Sequence, residues 1–369
     1  MTATDAVPAA GPDALSNGHR GRHRRKGGRG GSRGSRGSRG SGGGENLLVP
    51  PAEFRSYYGR PILRAPVWHH DIPAYLFTGG LAAGSSLLAA GGDLTGRPDL
   101  RRAGRVASLA GLGASTYFLI NDLGRPERFY NMLRIAKPTS PMSMGTWILA
   151  AFGPAAGLAA ACELAPLLPR RGVWGLARTL APPLGRAAGL AAAVTAPALA
   201  SYTAVLLAGT AVPAWHEAHP YLPFVFTGSA LASGAGVGLL SAPTSQTGPA
   251  VRMALIGTVG ELCATHLVET RLGLQSEAYH TGHPAKLLRA ARALTVVGAV
   301  AAVLGRRSRL VSAAAGLALL SGSVATRFGI YDGGVASAKD PRYTVIPQRA
   351  RLDAAAPASN SASAPASIG

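Results

Sequence analysis

Eight stretches of this chain, 18 to 29 residues long, are largely apolar, and about twenty such residues carry a helix through the hydrocarbon of a bilayer. They run from Ile72 to Gly92, Gly104 to Asn121, Gly145 to Leu168, Leu184 to Val212, Tyr221 to Ala242, Pro249 to Leu272, Ala285 to Gly305 and Leu310 to Tyr331. Within lipid each backbone N–H and C=O must find a partner inside the segment, so runs of this kind fold as helices. The expected fold is an all-α integral membrane protein with about eight transmembrane helices. Residues 68–332 form the membrane domain. Residues 1–67 are a disordered basic arm and membrane approach, and residues 333–369 are a mostly disordered C-terminal tail. Only 15% of residues are charged, against about a quarter in soluble domains. Gly and Ala replace the bulky side chains of a soluble core, which lets helices approach closely in lipid.

The net charge of +20 comes in large part from an Arg/Gly/Ser-rich stretch at residues 17–44. Such sequence cannot bury a core. It is read as a solvated arm able to touch anionic membrane lipid, and nucleic acid is not an expected partner. The arm has no apolar run to carry it across a bilayer, which predicts that both tails are cytoplasmic. The short loops opposite the tails are at least as basic.

The sequence echoes itself. Tyr75 to Gly84 in the first span resembles Phe224 to Gly234 in the fifth, and a Trp-His pair precedes each, Trp68-His69 and Trp215-His216. Two parallel four-helix repeats would produce this pattern.

Polar residues gather at the end of the bundle that faces the tails. His69, His70 and Asp71 open the first span, Asn121 and Asp122 close the second, and His266 and Glu269 lie toward the end of the sixth. The histidines and Asp71 are either site residues or interfacial anchors. Glu261, near the middle of the sixth span, must be neutral, paired or hydrated; it is a proton-path group or a structural hydrogen-bonder. The two cysteines, Cys162 and Cys263, are too few for an iron–sulfur cluster. His266 is the only histidine well within a span, so paired haem ligands are not expected. No metal site is expected either.

The loop after the second span carries Asp122-Leu-Gly-Arg-Pro-Glu-Arg-Phe129, then Met132-Leu-Arg134, Lys137-Pro-Thr-Ser-Pro-Met-Ser143 and Gly145-Thr-Trp147. Together with Tyr75–Gly84 and Ser201-Tyr-Thr203, this resembles the NrfD/polysulfide-reductase membrane-subunit family. The resemblance covers about Trp68 to Ala242 in detail. It implies a non-catalytic anchor for a molybdopterin catalytic subunit and a four-cluster iron–sulfur protein. Such an anchor would sit in the plasma membrane of a prokaryote and exchange electrons and protons with menaquinone or ubiquinone, without haem or an iron–sulfur cluster of its own. On that resemblance the quinone site would draw on Tyr75 and Tyr202; a His and an Asn that some relatives carry near the first span have no clear equivalent here. By chemistry and position His69, His70, Asp71 and Asn121 are added to the quinone site, Asp71, Asp122, Glu261, His266 and Glu269 are candidates for the proton path, and Arg125, Arg128 and Lys137 for docking the partner. The competing reading is a transporter built on the four-plus-four repeat, which expects broken helices around a midplane site.

Overall fold

A computed structural model of the chain describes residues 62–355 apart from 67 and 69, all of them within one compact unit. The basic arm, His69 and residues 356–369 lie outside the described residues. Among the described residues there are eleven α-helices: α1 (Asp71–Leu94), α2 (Pro98–Asn121), α3 (Pro141–Cys162), α4 (Gly172–Ala208), α5 (Pro213–Glu217), α6 (Leu222–Ser241), α7 (Gly248–Arg271), α8 (Glu277–His280), α9 (Gly282–Leu304), α10 (Arg309–Lys339) and α11 (Arg342–Ala355). Eight of them have 20 residues or more.

Seven of these eight are long and apolar enough to cross a membrane. The exception, α2, has the same 24-residue length as α1, but Asp99, Arg101, Arg102 and Arg105 lie in its first turns. It runs antiparallel along α1: Gly104 packs against Ser85 and Ala89, Gly111 against Thr78 and Ala82, and Ser115 donates to the Tyr75 carbonyl.

Several expected span boundaries move, and three of the shifts have a clear physical cause. The second helix begins at Pro98 rather than Gly104, because proline suits the first helical turn and the arginines that follow are paired. α4 begins at Gly172 rather than Leu184 and runs unbroken through Pro182, Pro183 and Pro197. At about 1.5 Å per residue its 37 residues reach roughly 55 Å, well past a hydrocarbon core of about 30 Å. The last span, expected to stop at Tyr331, continues to Lys339 and is followed by α11, so the part of the expected tail from 333 to 355 is helical. Its final turns are held by packing that local sequence does not reveal. Gly334 lies against the Trp215 ring, which leaves no room for a Cβ. The Ser337 hydroxyl accepts from the Ala214 amide at 3.2 Å.

α1 and α6 cross at Gly84 and Gly234, where a Cβ on either residue would collide with the other helix's backbone. Around this crossing the packing partners of the two halves correspond. α1 packs on α2 and α4 as α6 packs on α7 and α10, and α3 pairs with α4 as α9 pairs with α10. All eight long helices are continuous among the described residues.

Candidate functional site

At one end of the bundle α1, α3, α6 and α9 begin and α2, α4, α7 and α10 end. This tail end holds the aromatic and hydrogen-bonding side chains singled out in the sequence. Tyr75, one turn into α1, is 2% exposed, and Tyr202, near the end of α4, is 7% exposed. Both belong to one cluster of buried side chains that also includes Ile72, Leu76, Phe152, Trp215 and Tyr331. The Tyr202 ring is seated on Gly145 of α3, and only a residue without a side chain allows that approach.

Asp71 and Asn121 meet at the surface of this end. The Asn121 side-chain amide donates to the Asp71 carboxylate at 2.7 Å, joining the first turn of α1 to the last of α2. Asp122, which caps α2, interacts electrostatically with Tyr331 of α10. His70 stacks on Phe328 of α10 with ring centroids 6.5 Å apart.

Aromatic residues that the sequence reading left without a role complete this end. Trp215 is fully buried in α5. Its indole N–H donates to the Ile330 carbonyl at 2.9 Å. Its ring stacks on Trp68 at 6.1 Å and tilts against Tyr331 at 5.6 Å. The two tryptophans of the sequence echo are therefore in contact with each other. Tyr331 donates to the Trp68 carbonyl at 2.6 Å and Tyr279 to the Ala214 carbonyl at 3.1 Å. Burial pushes the Tyr279 phenol above its usual range, so it remains a neutral donor.

The loop between α2 and α3 presents Arg125, Arg128 and Lys137, all exposed. Its anchorage to α3 explains the Ser-Pro-Met-Ser run. Pro141 opens α3 and the Ser140 hydroxyl accepts from the Ser143 amide at 3.4 Å, a helix N-cap. The Ser143 hydroxyl in turn accepts from the Lys137 amide and donates to the Ile135 carbonyl, both at 2.9 Å. The motif pins an exposed basic loop to the start of a membrane helix.

The three sixth-span candidates, all on α7, separate. Glu261 points into the bundle, 4% exposed, and accepts a 2.6 Å hydrogen bond from Thr326 of α10. His266 is exposed on the outer face. Glu269 pairs with Arg292 of α9. The sequence reading missed Arg327, which is fully buried on α10 beside Thr326. Its guanidinium lies 3.8 Å over the Phe226 ring and donates to the Phe226 carbonyl at 2.7 Å. A charged residue this deep in an apolar span was the available signal, but its place near the end of a Gly/Ser-rich stretch disguised its burial.

Two clefts open at the tail end. One, of about 420 Å³, is walled by Leu287, Val324, Ala325 and Phe328 and edged by His70, His283 and Asp332, with His283 Nδ1 at 3.0 Å from Asp332. The other, of about 450 Å³, lies among His216, Glu217, Gln275 and Tyr343. Neither is lined by Tyr75 or Tyr202.

These features define an all-α, multi-pass membrane protein whose hydrogen-bonding side chains converge at one end of the bundle. The family model described as polysulphide reductase, NrfD, matches residues 62–262, more than half of the chain, and the protein belongs to that family. It is similar to a polysulfide reductase subunit of Wolinella succinogenes, with 33% identity over 94 residues. That match covers 24% of this chain and 30% of the relative's length.

Proposed function

We propose that the protein is the membrane subunit of an oxidoreductase complex in a prokaryotic plasma membrane, and that it exchanges electrons and protons with menaquinone or ubiquinone at the tail end. The observation that carries this reading is the pairing of depth and polarity there. Two phenols, Tyr75 and Tyr202, sit in one buried cluster, beneath the surface pair Asp71 and Asn121. A quinone that accepts two electrons also takes up two protons. Phenols suit the carbonyl-facing donor role, and their rings pack against an aromatic headgroup. Asp71 and Asp122, at the surface, suit exchange of protons with water.

The electrons would arrive from a four-cluster iron–sulfur protein seated on the loop with Arg125, Arg128 and Lys137, itself fed by a molybdopterin subunit. The exposed cations of that loop suit an acidic partner surface. Glu261 and Thr326, with Arg327 beside them, offer a polar position within the bundle for proton transfer. The competing transporter reading expects broken helices, whereas the long helices run unbroken.

One observation favours a second placement of the quinone. The cleft edged by His70, His283 and Asp332 is open and apolar-walled, which suits an isoprenoid tail with a polar head. The test of the function is purification from native membranes in mild detergent. Quinone, iron–sulfur and molybdopterin partners should copurify in defined stoichiometry. A protein that purifies alone and moves a solute across vesicles would overturn the proposal.

A further inference from the structure

The end of the bundle opposite the tails holds a second constellation, which the proposed quinone chemistry does not use. Asp93 at the end of α1, Arg101, Arg102 and Arg105 on α2, Glu163 after α3 and Arg186 on α4 surround a cleft of about 510 Å³. Arg105 is 6% exposed. It donates to Glu163 at 2.9 Å, and Arg101 donates to the same carboxylate at 2.8 Å. These two bonds fix the floor of the cleft.

The remaining charge is not satisfied internally. Arg178, bonded to the Pro166 and Leu168 carbonyls, also lines the cleft. Five guanidinium groups therefore face two carboxylates. Arg102 and Arg186 reach those carboxylates only at 3.5 and 3.7 Å, and their side chains are 56% and 60% exposed. The Arg105 Nε and one carboxylate oxygen of Asp93 are both buried without a hydrogen-bond partner. The cleft is thus a cationic site in which arginines outnumber carboxylates and two exposed arginines stand at its mouth.

Its setting identifies the occupant. The cleft lies where α1 and α3 end and α2 begins, the end of the membrane helices where lipid headgroups are expected. Its walls include Pro166, Ala181, Pro182 and Pro183. Leu164, Leu167, Trp174 and Leu180, on the segment that forms this side, are all exposed. Trp at this depth is characteristic of the membrane interface. A free anion would need only the arginines; a phospholipid would use both the arginines and the apolar rim. We propose that this cleft binds the phosphate headgroup of an anionic phospholipid, with its acyl chains against the exposed leucines. Guanidinium groups recognise phosphate oxygens in paired fashion, and basic pockets between membrane helices are established sites for such headgroups.

The test uses the full-length protein in neutral detergent, with bound lipid measured by native mass spectrometry during titration with phosphatidylglycerol or phosphatidylcholine. Wild type should retain phosphatidylglycerol selectively. Arg102→Gln with Arg186→Gln, which leaves the Arg105–Glu163 floor intact, should weaken that retention roughly tenfold, and Arg102→Lys with Arg186→Lys should restore part of it. Arg306→Gln with Arg307→Gln, in the exposed α9–α10 turn at the same end, should have no effect. Equal loss in both Gln pairs would show generic charge attraction and overturn the site. Unchanged retention in the cleft variant would overturn it as well. Thermal stabilisation by inorganic phosphate without selective lipid retention would assign the cleft to a free anion instead.

Discussion

Thr326 of α10 donates a 2.6 Å hydrogen bond to Glu261 of α7, and the next residue, Arg327, is fully buried and interacts electrostatically with the same carboxylate. Two ionisable groups therefore lie inside the helix bundle, linked across the α7–α10 contact. One carboxylate oxygen of Glu261 and two guanidinium nitrogens of Arg327 have no hydrogen-bond partner. Truncating one of two buried, interacting charges costs roughly 3 kcal/mol or more. Arg327→Met should lower the unfolding midpoint in detergent markedly. Glu261→Gln keeps an acceptor for Thr326 and should be milder. Its effect on proton uptake during quinone turnover then measures the proton role directly: full uptake in Glu261→Gln removes Glu261 from the path, and an Arg327→Met protein as stable as wild type removes the coupling.

The end of α10 makes a second prediction. The Trp215 indole fills the space beside Gly334. Gly334→Val should displace it, with an overpacking cost of about 1–3 kcal/mol. The checks are a lower melting temperature and altered tryptophan fluorescence. An unaltered melt and spectrum would show that the last turns of α10 do not pack on α5.

The basic loop after α2 makes a third. Arg125→Glu with Arg128→Glu reverses two exposed charges without touching the Ser140 and Ser143 bonds that hold the loop to α3. The iron–sulfur partner should then wash from membranes at physiological salt while the membrane subunit remains inserted. Retention of the partner at that salt would place docking elsewhere.

Topology makes a fourth. Reporter fusions after Arg171 and at the C-terminus should report opposite sides, because α4 to α10 contain five long helices. The Arg-rich arm favours cytoplasmic tails, while the short connections opposite them, with Arg97, Arg170, Arg171, Arg306, Arg307 and Arg309, are at least as basic, and short connections weigh most in the positive-inside rule. With the tails cytoplasmic, the fusion after Arg171 is expected on the outer side and the C-terminal fusion in the cytoplasm, and a result with both fusions on one side would contradict the helix count.

Hydropathy made the apolar spans legible because it depends on length and composition alone. It placed the start of α2 six residues late, because Asp99 and the arginines after it break the apolar run, although Glu163, about sixty residues away, pairs with the arginines. It failed at α4, where Pro182 and Pro183 read as a break that the helix does not make. The polar end of the bundle was legible from span direction, and Asp71 with Asn121 were brought together as their helix-end positions implied. The contacts of Trp215 with Trp68 and of Glu261 with Thr326 were not, because each joins segments far apart in sequence. His266 shares a helix with Glu261 but faces outward, five residues on and more than a quarter-turn out of phase.

The most direct measurement is quinone-linked turnover of the assembled complex carrying Tyr202→Phe or Tyr75→Phe, set beside its activity with a soluble electron acceptor that bypasses this subunit. Loss of one orienting phenol donor costs about 1–3 kcal/mol, roughly tenfold to a hundredfold in rate or binding. The account predicts that fall in quinone-linked turnover with the soluble-acceptor activity intact and the complex assembled. Unchanged quinone turnover in both variants would contradict it, and a fall in His283→Ala alone would move the headgroup to the cleft between α9 and α10.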